Sequence, residues 1–110
     1  MPAAHPSARR SPHLLALADA VLQPGFEGTT PPDWLRRRLA EGLCGVALFG
    51  RNIVSSAQAA ELTAALRSER HDLLVAIDEE GGDVTRLETC QGSSWPGNLA
   101  LGAVDDPTLT

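Results

Sequence analysis

Two wholly apolar runs, each followed at once by polar residues, dominate the hydrophobic pattern of this chain. The first extends from Gly45 to Phe49 and the second from Leu73 to Ile77. Neither run shows the polar alternation of a strand with one face in water, so both predict strands covered on both faces in a parallel sheet. Because ligands dock at the carboxyl ends of parallel strands, the residues that follow each run are the first candidates for chemistry.

A helix predicted between the two runs fixes their relative direction. Ser55 followed by Gln58 matches a capping box, and the helix should extend from about residue 56 to 70. One face of it is apolar through Ala59, Leu62 and Leu66. A strand, a helix and a second strand make a βαβ unit with a right-handed crossover, so we expect the two strands to be parallel.

Helical spacing also occurs in the first third of the chain. Ser11-Pro12 opens a predicted helix whose apolar stripe should be buried, and it comprises Leu14, Leu17, Ala18, Val21 and Leu22. The segment from Leu22 to Phe26 could extend into a strand. A second helix, capped by Asp33, aligns Leu35, Leu39 and Leu43. Its Arg36-Arg37-Arg38 triplet is interpreted as a solvated surface rather than a phosphate site, because consecutive helical residues diverge by about 100°.

Three carboxylates and two glycines follow the second apolar run. Asp78, Glu79 and Glu80 stand at the predicted strand end, and Gly81-Gly82 allow a sharp turn or a close approach to a ligand. Glu79 should point away from the other two carboxylates, which makes it the least favoured ligand contact. After the first run, Arg51 and Asn52 could line a pocket, or Arg51 could pair with a neighbouring carboxylate.

The remainder is predicted to form a long loop from Leu87 to Asn98 and a helical turn from Asn98 to Gly102. Asp106-Pro107 has the pattern of a helix start, but a helix that begins three residues before Thr110 cannot form a stable turn. Trp95 in the loop would either stack on a sugar ring or cover a small core of the loop. Two or three parallel strands give an unclosed sheet with an unpaired edge. The pattern therefore predicts a truncated part of a larger α/β domain.

Composition narrows the classes of partner. The net charge of −5 and the pI near 5.0 argue against nucleic-acid and membrane partners, which require clustered positive charge. No Lys is present, so the segment holds no Schiff-base or Walker-type lysine. Cys44 and Cys90 lack metal or redox spacing and are interpreted as reduced thiols. Residues 1–12 resemble a disordered leader without an export signal, and we expect a cytoplasmic protein without a membrane span.

The motifs together resemble the amino-terminal part of family 3 glycoside hydrolases, most of all the bacterial β-N-acetylhexosaminidases. The motifs are Gly45 to Asn52, Leu73 to Leu87 with Asp-Glu-Glu-Gly-Gly-x-Val-x-Arg, and Pro96-Gly97-Asn98 with Ala100-Leu101-Gly102. The resemblance implies that residues 13–110 are the first part of a (β/α)8 TIM-type barrel, truncated. It also implies retaining hydrolysis of terminal β-linked N-acetylglucosamine, without a cofactor or a metal.

Carried over residue by residue, the resemblance makes Asp78 and Arg86 substrate-binding residues, with Glu80, Arg51, Asn52 and Trp95 as possible pocket lining. An ionised carboxylate at position 78 can accept several sugar hydroxyls. The alternative role for Asp78 is an ordinary ion pair with Arg86. Asp78 and Glu80 are not expected to be the catalytic pair, because nucleophile and acid usually come from different strands.

No catalytic residue is expected within the chain. The resemblance puts the nucleophilic Asp and the acid/base His beyond Thr110, and His5, His13 and His71 are all interpreted as surface residues. We therefore expect the isolated polypeptide to be inactive. Two alternatives stay open at this point: a non-catalytic sugar-binding fragment, and a receiver-like doubly wound domain whose strand-end carboxylates bind Mg²⁺.

Overall fold

The structure, a computed structural model, describes residues 11–109. Most of the predicted leader, residues 1–12, lies outside this range, although Pro12 already belongs to the first helix. The elements in chain order are α1 (Pro12–Asp19), α2 (Asp33–Ala40), β1 (Gly45–Leu48), a 3-10 turn (Gly50–Asn52), α3 (Ser56–Glu69), β2 (Leu74–Ile77) and α4 (Asn98–Val104). The order of β1, α3 and β2 is the predicted one.

The βαβ unit is confirmed in its central features. The strands are parallel, with Gly45 opposite Leu74 and Leu48 opposite Ile77. The cap of α3 also forms, since the Ser55 hydroxyl oxygen accepts from the Gln58 N–H at 3.1 Å. The Gln58 side chain accepts in turn from the N–H of Val54 rather than that of Ser55, at 2.9 Å. The predicted capping box is therefore half formed, because the N–H that the Gln58 side chain accepts belongs to the residue before the cap.

The core lies between the sheet and the helices α2 and α3. The predicted apolar lines of both helices are buried, and they meet the strand residues Val46 and Leu48 together with Phe26. The buried helix and flanking residues are Leu35, Leu39, Leu43, Leu62, Leu66 and Leu73. Burial of such side chains from water is the main favourable term in folding. It holds α3 against β1 and so fixes where the strand ends lie.

The arginines of α2 join neighbouring elements. Arg36 pairs with the Glu69 carboxylate on α3, and Arg38 Nη2 lies 2.5 Å from Asp19 Oδ1 on α1. Arg37 is exposed, as expected of a solvated surface. The helix begins one residue earlier than predicted, with Pro32 as its cap. Asp33 is therefore a first-turn residue, where its negative charge interacts favourably with the positive end of the helix dipole.

The predicted burial of the α1 stripe is wrong within the described chain. Leu14 is 61% exposed and Leu17 is 52% exposed, whereas Asp19 is the buried residue of this helix. The helix is attached at its carboxyl end, where the carbonyl of Asp19 accepts from the N–H of Cys44 at 2.8 Å. Among residues 11–109, no element packs on the apolar face of α1, so the spacing that forms the helix does not bury it.

Two further expectations about strands are corrected. Residues 22–26 form extended chain beside β1 rather than a strand, with a single bond from Ala47 N–H to the Pro24 carbonyl at 3.1 Å. Proline has no N–H to return to the ladder, which explains the break. The predicted cover of β2 on both faces is also wrong here, because Leu74 is 56% exposed. Within the described range β2 pairs with β1 alone, so its outer edge is open.

The last part of the chain follows the prediction closely. A long loop follows Arg86, and α4 extends two residues beyond the expected turn. Asp106-Pro107 opens no helix. Instead the Asp106 carboxylate accepts from the Thr108 N–H at 2.9 Å and from its hydroxyl at 2.7 Å, which closes a turn. Over residues 11–109, every helix is too short or too polar to cross a membrane.

Candidate functional site

Asp78 and Arg86 lie together at the carboxyl ends of the strands, as the sequence predicted. Asp78 is the residue after β2, and its side chain is 58% exposed. Arg86 Nη2 lies 3.7 Å from Asp78 Oδ2, and the Arg86 side chain passes over Gly50, just beyond β1. One exposed anionic group and one cationic group thus share the end of the sheet. Sugar hydroxyls can donate to the first and accept from the second.

A cleft opens between the two strand ends. Its volume is about 100 Å³, and five of its six lining residues are apolar: Ala47, Leu48, Phe49, Ala76 and Ile77. The sixth is Asp78, which gives the cleft its charged end. An apolar wall beside one oriented carboxylate is an arrangement that can hold the carbon face of a sugar ring and fix its hydroxyls.

Glu79 faces the protein instead of the cleft. Its Oε2 accepts from the backbone N–H groups of Arg86, at 2.8 Å, and Leu87, at 3.1 Å. This agrees with the prediction that Glu79 is the least favoured ligand contact, since neighbouring residues of an extended chain point to opposite sides. Its partners could not be predicted from local patterns, because they lie seven and eight residues further along the chain.

These bonds make Glu79 sensitive to acid. The Thr85 hydroxyl has the largest effect, followed by the Arg86 N–H, and together they lower the pKa of Glu79. The stabilisation is therefore present above the unfolded pKa of about 4.3 and is lost as the pH falls through the lower, folded pKa. We expect Glu79→Gln to flatten the acid side of the stability curve. Melting temperatures of both proteins between about pH 7 and pH 3 test this, and parallel curves would contradict it.

The two glycines after the carboxylates make a tight turn against the protein's own backbone. Gly81 has φ of 78° and Gly82 has φ of 57°. The turn is closed by the Val84 N–H, which donates to the Gly81 carbonyl at 3.1 Å. A Cβ on Gly81 would lie 2.4 Å from the Pro96 carbonyl oxygen, and the Gly82 N–H donates to the Trp95 carbonyl at 2.9 Å. The predicted sharp turn is confirmed, and the close approach is to this loop rather than to a ligand.

The loop that contacts this turn leaves its aromatic residue in solvent. Trp95 is 72% exposed, so it does not cover a core of the loop. The loop is held instead by Glu88, whose carboxylate accepts from the Ser94 N–H and hydroxyl, both at 2.6 Å. The Ser94 N–H, and next its hydroxyl, lower the pKa of Glu88. Glu80 is exposed as well, so Glu80 and Trp95, two of the predicted lining residues, can both contact a ligand.

Arg51 and Asn52 have structural partners. Arg51 Nε lies 2.9 Å from Glu27 Oε1, and its guanidinium lies 4.8 Å from the centre of the Phe49 ring. This is the carboxylate pairing that the sequence left open. Asn52 is fully buried, and its amide donates to the carbonyls of Phe26 and Gly28. The expectation that Asn52 lines a pocket is therefore wrong, since both ends of its amide are occupied by backbone groups.

The described histidines and cysteines stand apart from this site. His13 is exposed on α1 and His71 is exposed before β2, at the opposite end of the strand, whereas His5 lies outside the described residues. Cys44 is half-buried and Cys90 is exposed, and both are free thiols. Over residues 11–109, no three His, Cys, Asp or Glu side chains come together as a metal site would require.

The chain is similar in sequence and in structure to known sugar hydrolases. A β-hexosaminidase of Xylella fastidiosa is 46% identical over 90 residues, which cover 76% of this chain and 26% of the relative. The solved family 3 β-N-acetylglucosaminidase of Paenibacillus sp. superposes with a TM-score of 0.72 and 36% identity, over 86% of this chain and 19% of that one. These matches support a hexosaminidase-like fragment of glycoside hydrolase family 3. The predicted resemblance is confirmed.

A third relative carries a ligand. NagZ of Neisseria gonorrhoeae, solved in complex with N-trifluoroacetyl-D-glucosamine, matches with a TM-score of 0.54 and 28% identity, over 60% of the hexosaminidase-like chain and 20% of its own. No protein-family model matches the chain. The chain spans about a quarter or less of the length of each of these relatives.

Proposed function

We propose that this hexosaminidase-like chain supplies part of the sugar-binding site of a retaining β-N-acetylhexosaminidase. The substrate is a carbohydrate that ends in β-linked N-acetylglucosamine. Asp78 accepts hydrogen bonds from hydroxyls of that sugar, and Arg86 contacts the sugar from the other side. Glu80 and Trp95 lie at the rim, where the exposed indole can stack on a neighbouring ring.

One observation supports this function more than any other: the exposed Asp78 carboxylate at the open cleft beside Arg86. A carboxylate that served only the fold would be enclosed by donors, as Glu79 is. Asp78 has instead a single cationic neighbour at 3.7 Å and leaves most of its acceptor capacity to solvent. A metal-binding receiver-like site would need several ligands together, and the described carboxylates do not converge.

The larger architecture is a (β/α)8 barrel of which this βαβ unit forms the first part. Two features support that proposal. The strands are parallel and joined by a helix, and the outer edge of β2 is open to a further strand. The candidate residues stand at the carboxyl ends of the strands, where barrel enzymes build their active sites. In this architecture the nucleophile and the acid/base come from other strands and loops.

Hydrolysis of p-nitrophenyl N-acetyl-β-glucosaminide tests the proposal in the protein expressed from its natural reading frame. We expect release of p-nitrophenol, with the β-anomer of N-acetylglucosamine as the first product by NMR, because a double displacement retains configuration. The corresponding β-glucoside serves as the control substrate. Faster cleavage of the β-glucoside, or an α-anomer as first product, would contradict the proposal.

The isolated 110-residue chain should bind the sugar without hydrolysing it. The described histidines lie away from Asp78, and neighbouring carboxylates of one strand end do not approach a glycosidic bond from two directions. We expect saturable binding of N-acetylglucosamine by calorimetry, no effect of Mg²⁺ and no turnover. Turnover by the purified chain would place the catalytic groups within it and overturn this part of the proposal.

A further inference from the structure

The contacts of Glu79 bear on the position of Arg86. Arg86 follows Glu79 by seven positions, and the turn at Gly81-Gly82 lies between them. The Glu79 carboxylate closes this loop by accepting the backbone N–H of Arg86 at 2.8 Å. The same oxygen also accepts the N–H of Leu87 at 3.1 Å. One carboxylate next to Asp78 in the chain therefore fixes the main chain at Arg86.

The direct contact between Asp78 and Arg86 cannot do this. Their closest charged atoms are 3.7 Å apart, beyond hydrogen-bond distance, and both side chains are partly exposed. Such a surface pair restrains a long arginine side chain weakly. The backbone hydrogen bonds that close the glycine turn are made by Val84, with Glu80 and Gly81, and not by Arg86. Among the described contacts, those of Glu79 are the ones that hold the Arg86 backbone.

We infer that Glu79 is a positioning residue, whose carboxylate sets the backbone of Arg86 so that the guanidinium reaches the sugar beside Asp78. This inference rests on the proposed function. It assigns no contact between Glu79 and substrate. The buried Thr85, the residue before Arg86, supports the same restraint, because its hydroxyl oxygen accepts from the Glu88 N–H at 3.0 Å. The same hydroxyl also lowers the pKa of Glu79.

Three substitutions separate the reach of the side chain from its charge. Glu79→Gln keeps the length and an oxygen that accepts both N–H groups, whereas Glu79→Asp keeps the charge but withdraws the oxygen by about 1.5 Å, one carbon–carbon bond. Glu79→Ala removes both. In the protein expressed from its natural reading frame, we expect Ala and Asp to raise KM for p-nitrophenyl N-acetyl-β-glucosaminide and Kd for N-acetylglucosamine about tenfold. Gln should recover most of this loss.

A double-mutant cycle with Arg86→Ala distinguishes positioning from general destabilisation. If Glu79 acts through Arg86, then Glu79→Ala should add little to the effect of Arg86→Ala on Kd. Additive effects, or an Asp variant that binds like the parent, would overturn the inference. Should the Ala variant fail to fold, the Gln and Asp pair decides the question, with circular dichroism to verify the fold.

The same experiment separates the two proposals. Weak effects of Asp78→Asn and Arg86→Ala on Kd would contradict the proposed sugar site itself. Strong effects of those two variants, with none from Glu79→Asp, would leave the sugar site standing and overturn only the positioning role. Asp83→Asn is the matched control, since Asp83 is an exposed carboxylate of the same loop.

Discussion

Asp78→Asn, in the protein expressed from its natural reading frame, is expected to lower kcat/KM for p-nitrophenyl N-acetyl-β-glucosaminide about 100-fold. This corresponds to about 3 kcal/mol of lost transition-state stabilisation. The asparagine keeps the shape of the side chain but loses the charge and one of the two acceptor oxygens. Each charge-assisted bond to a sugar hydroxyl is worth about 1.5 to 3 kcal/mol, so the expected loss equals one or two such bonds. Steady-state kinetics on both proteins measure the ratio.

The melting temperature should hardly change in the same variant. Asp78 is 58% exposed and its ion pair with Arg86 is long, and exposed pairs contribute about 0 to 1 kcal/mol. Asp83→Asn removes the same charge from the same loop and should leave kcat/KM close to that of the parent. Equal losses of kcat/KM in the two variants would point to a general charge effect. A fall in melting temperature for Asp78→Asn would instead indicate that Asp78 serves the fold through an ordinary ion pair with Arg86.

The elements that could be predicted from the sequence are those fixed by local signals. The α3 cap needs only Ser55 and Gln58, which are three positions apart, and the buried line of α3 follows from helical spacing. The parallel pairing of β1 and β2 followed from the helix between them. Such signals specify an element and its inner face, provided that a partner covers that face.

Burial itself depends on partners that the local pattern does not contain. The α1 stripe has the same helical spacing as the α3 line, yet Leu14 and Leu17 are exposed because no described element packs on them. Leu74 in β2 is exposed for the same reason. The hydrophobic pattern therefore predicted α1 and β2 correctly as elements, but it predicted the burial of their apolar side chains wrongly.

At the site, residue types were informative and long-range contacts were not. Asp78 was predicted because an acidic residue follows an apolar strand, and Arg86 was predicted from the family motif. The role of Asn52 depends on carbonyls more than twenty residues earlier in the chain, at Phe26 and Gly28. Likewise, the sequence could not indicate that Trp95 and Pro96 return to the glycine turn.

That return predicts a large effect of substitution at Gly81. Gly81→Ala is expected to lower the free energy of unfolding by about 3 kcal/mol. About 1 kcal/mol of this comes from the positive φ of 78°, which a side chain disfavours. The rest comes from overlap, because the new Cβ would lie 2.4 Å from the Pro96 carbonyl oxygen and 2.9 Å from that of Trp95. Both neighbours are backbone atoms and cannot rotate away.

Gly92→Ala is the matched control for this prediction. Gly92 has a φ of 82°, close to that of Gly81, but no atom lies within 4 Å of its would-be Cβ. It should therefore show only the conformational cost of about 1 kcal/mol. Urea unfolding of the parent and both variants gives the two differences. Equal destabilisation by the two substitutions would contradict the prediction, because it would mean that the Trp95–Pro96 backbone moves aside at little cost. A larger loss at Gly81 would establish that this segment is seated on the same turn that carries the carboxylates, and kcat/KM should then fall with stability.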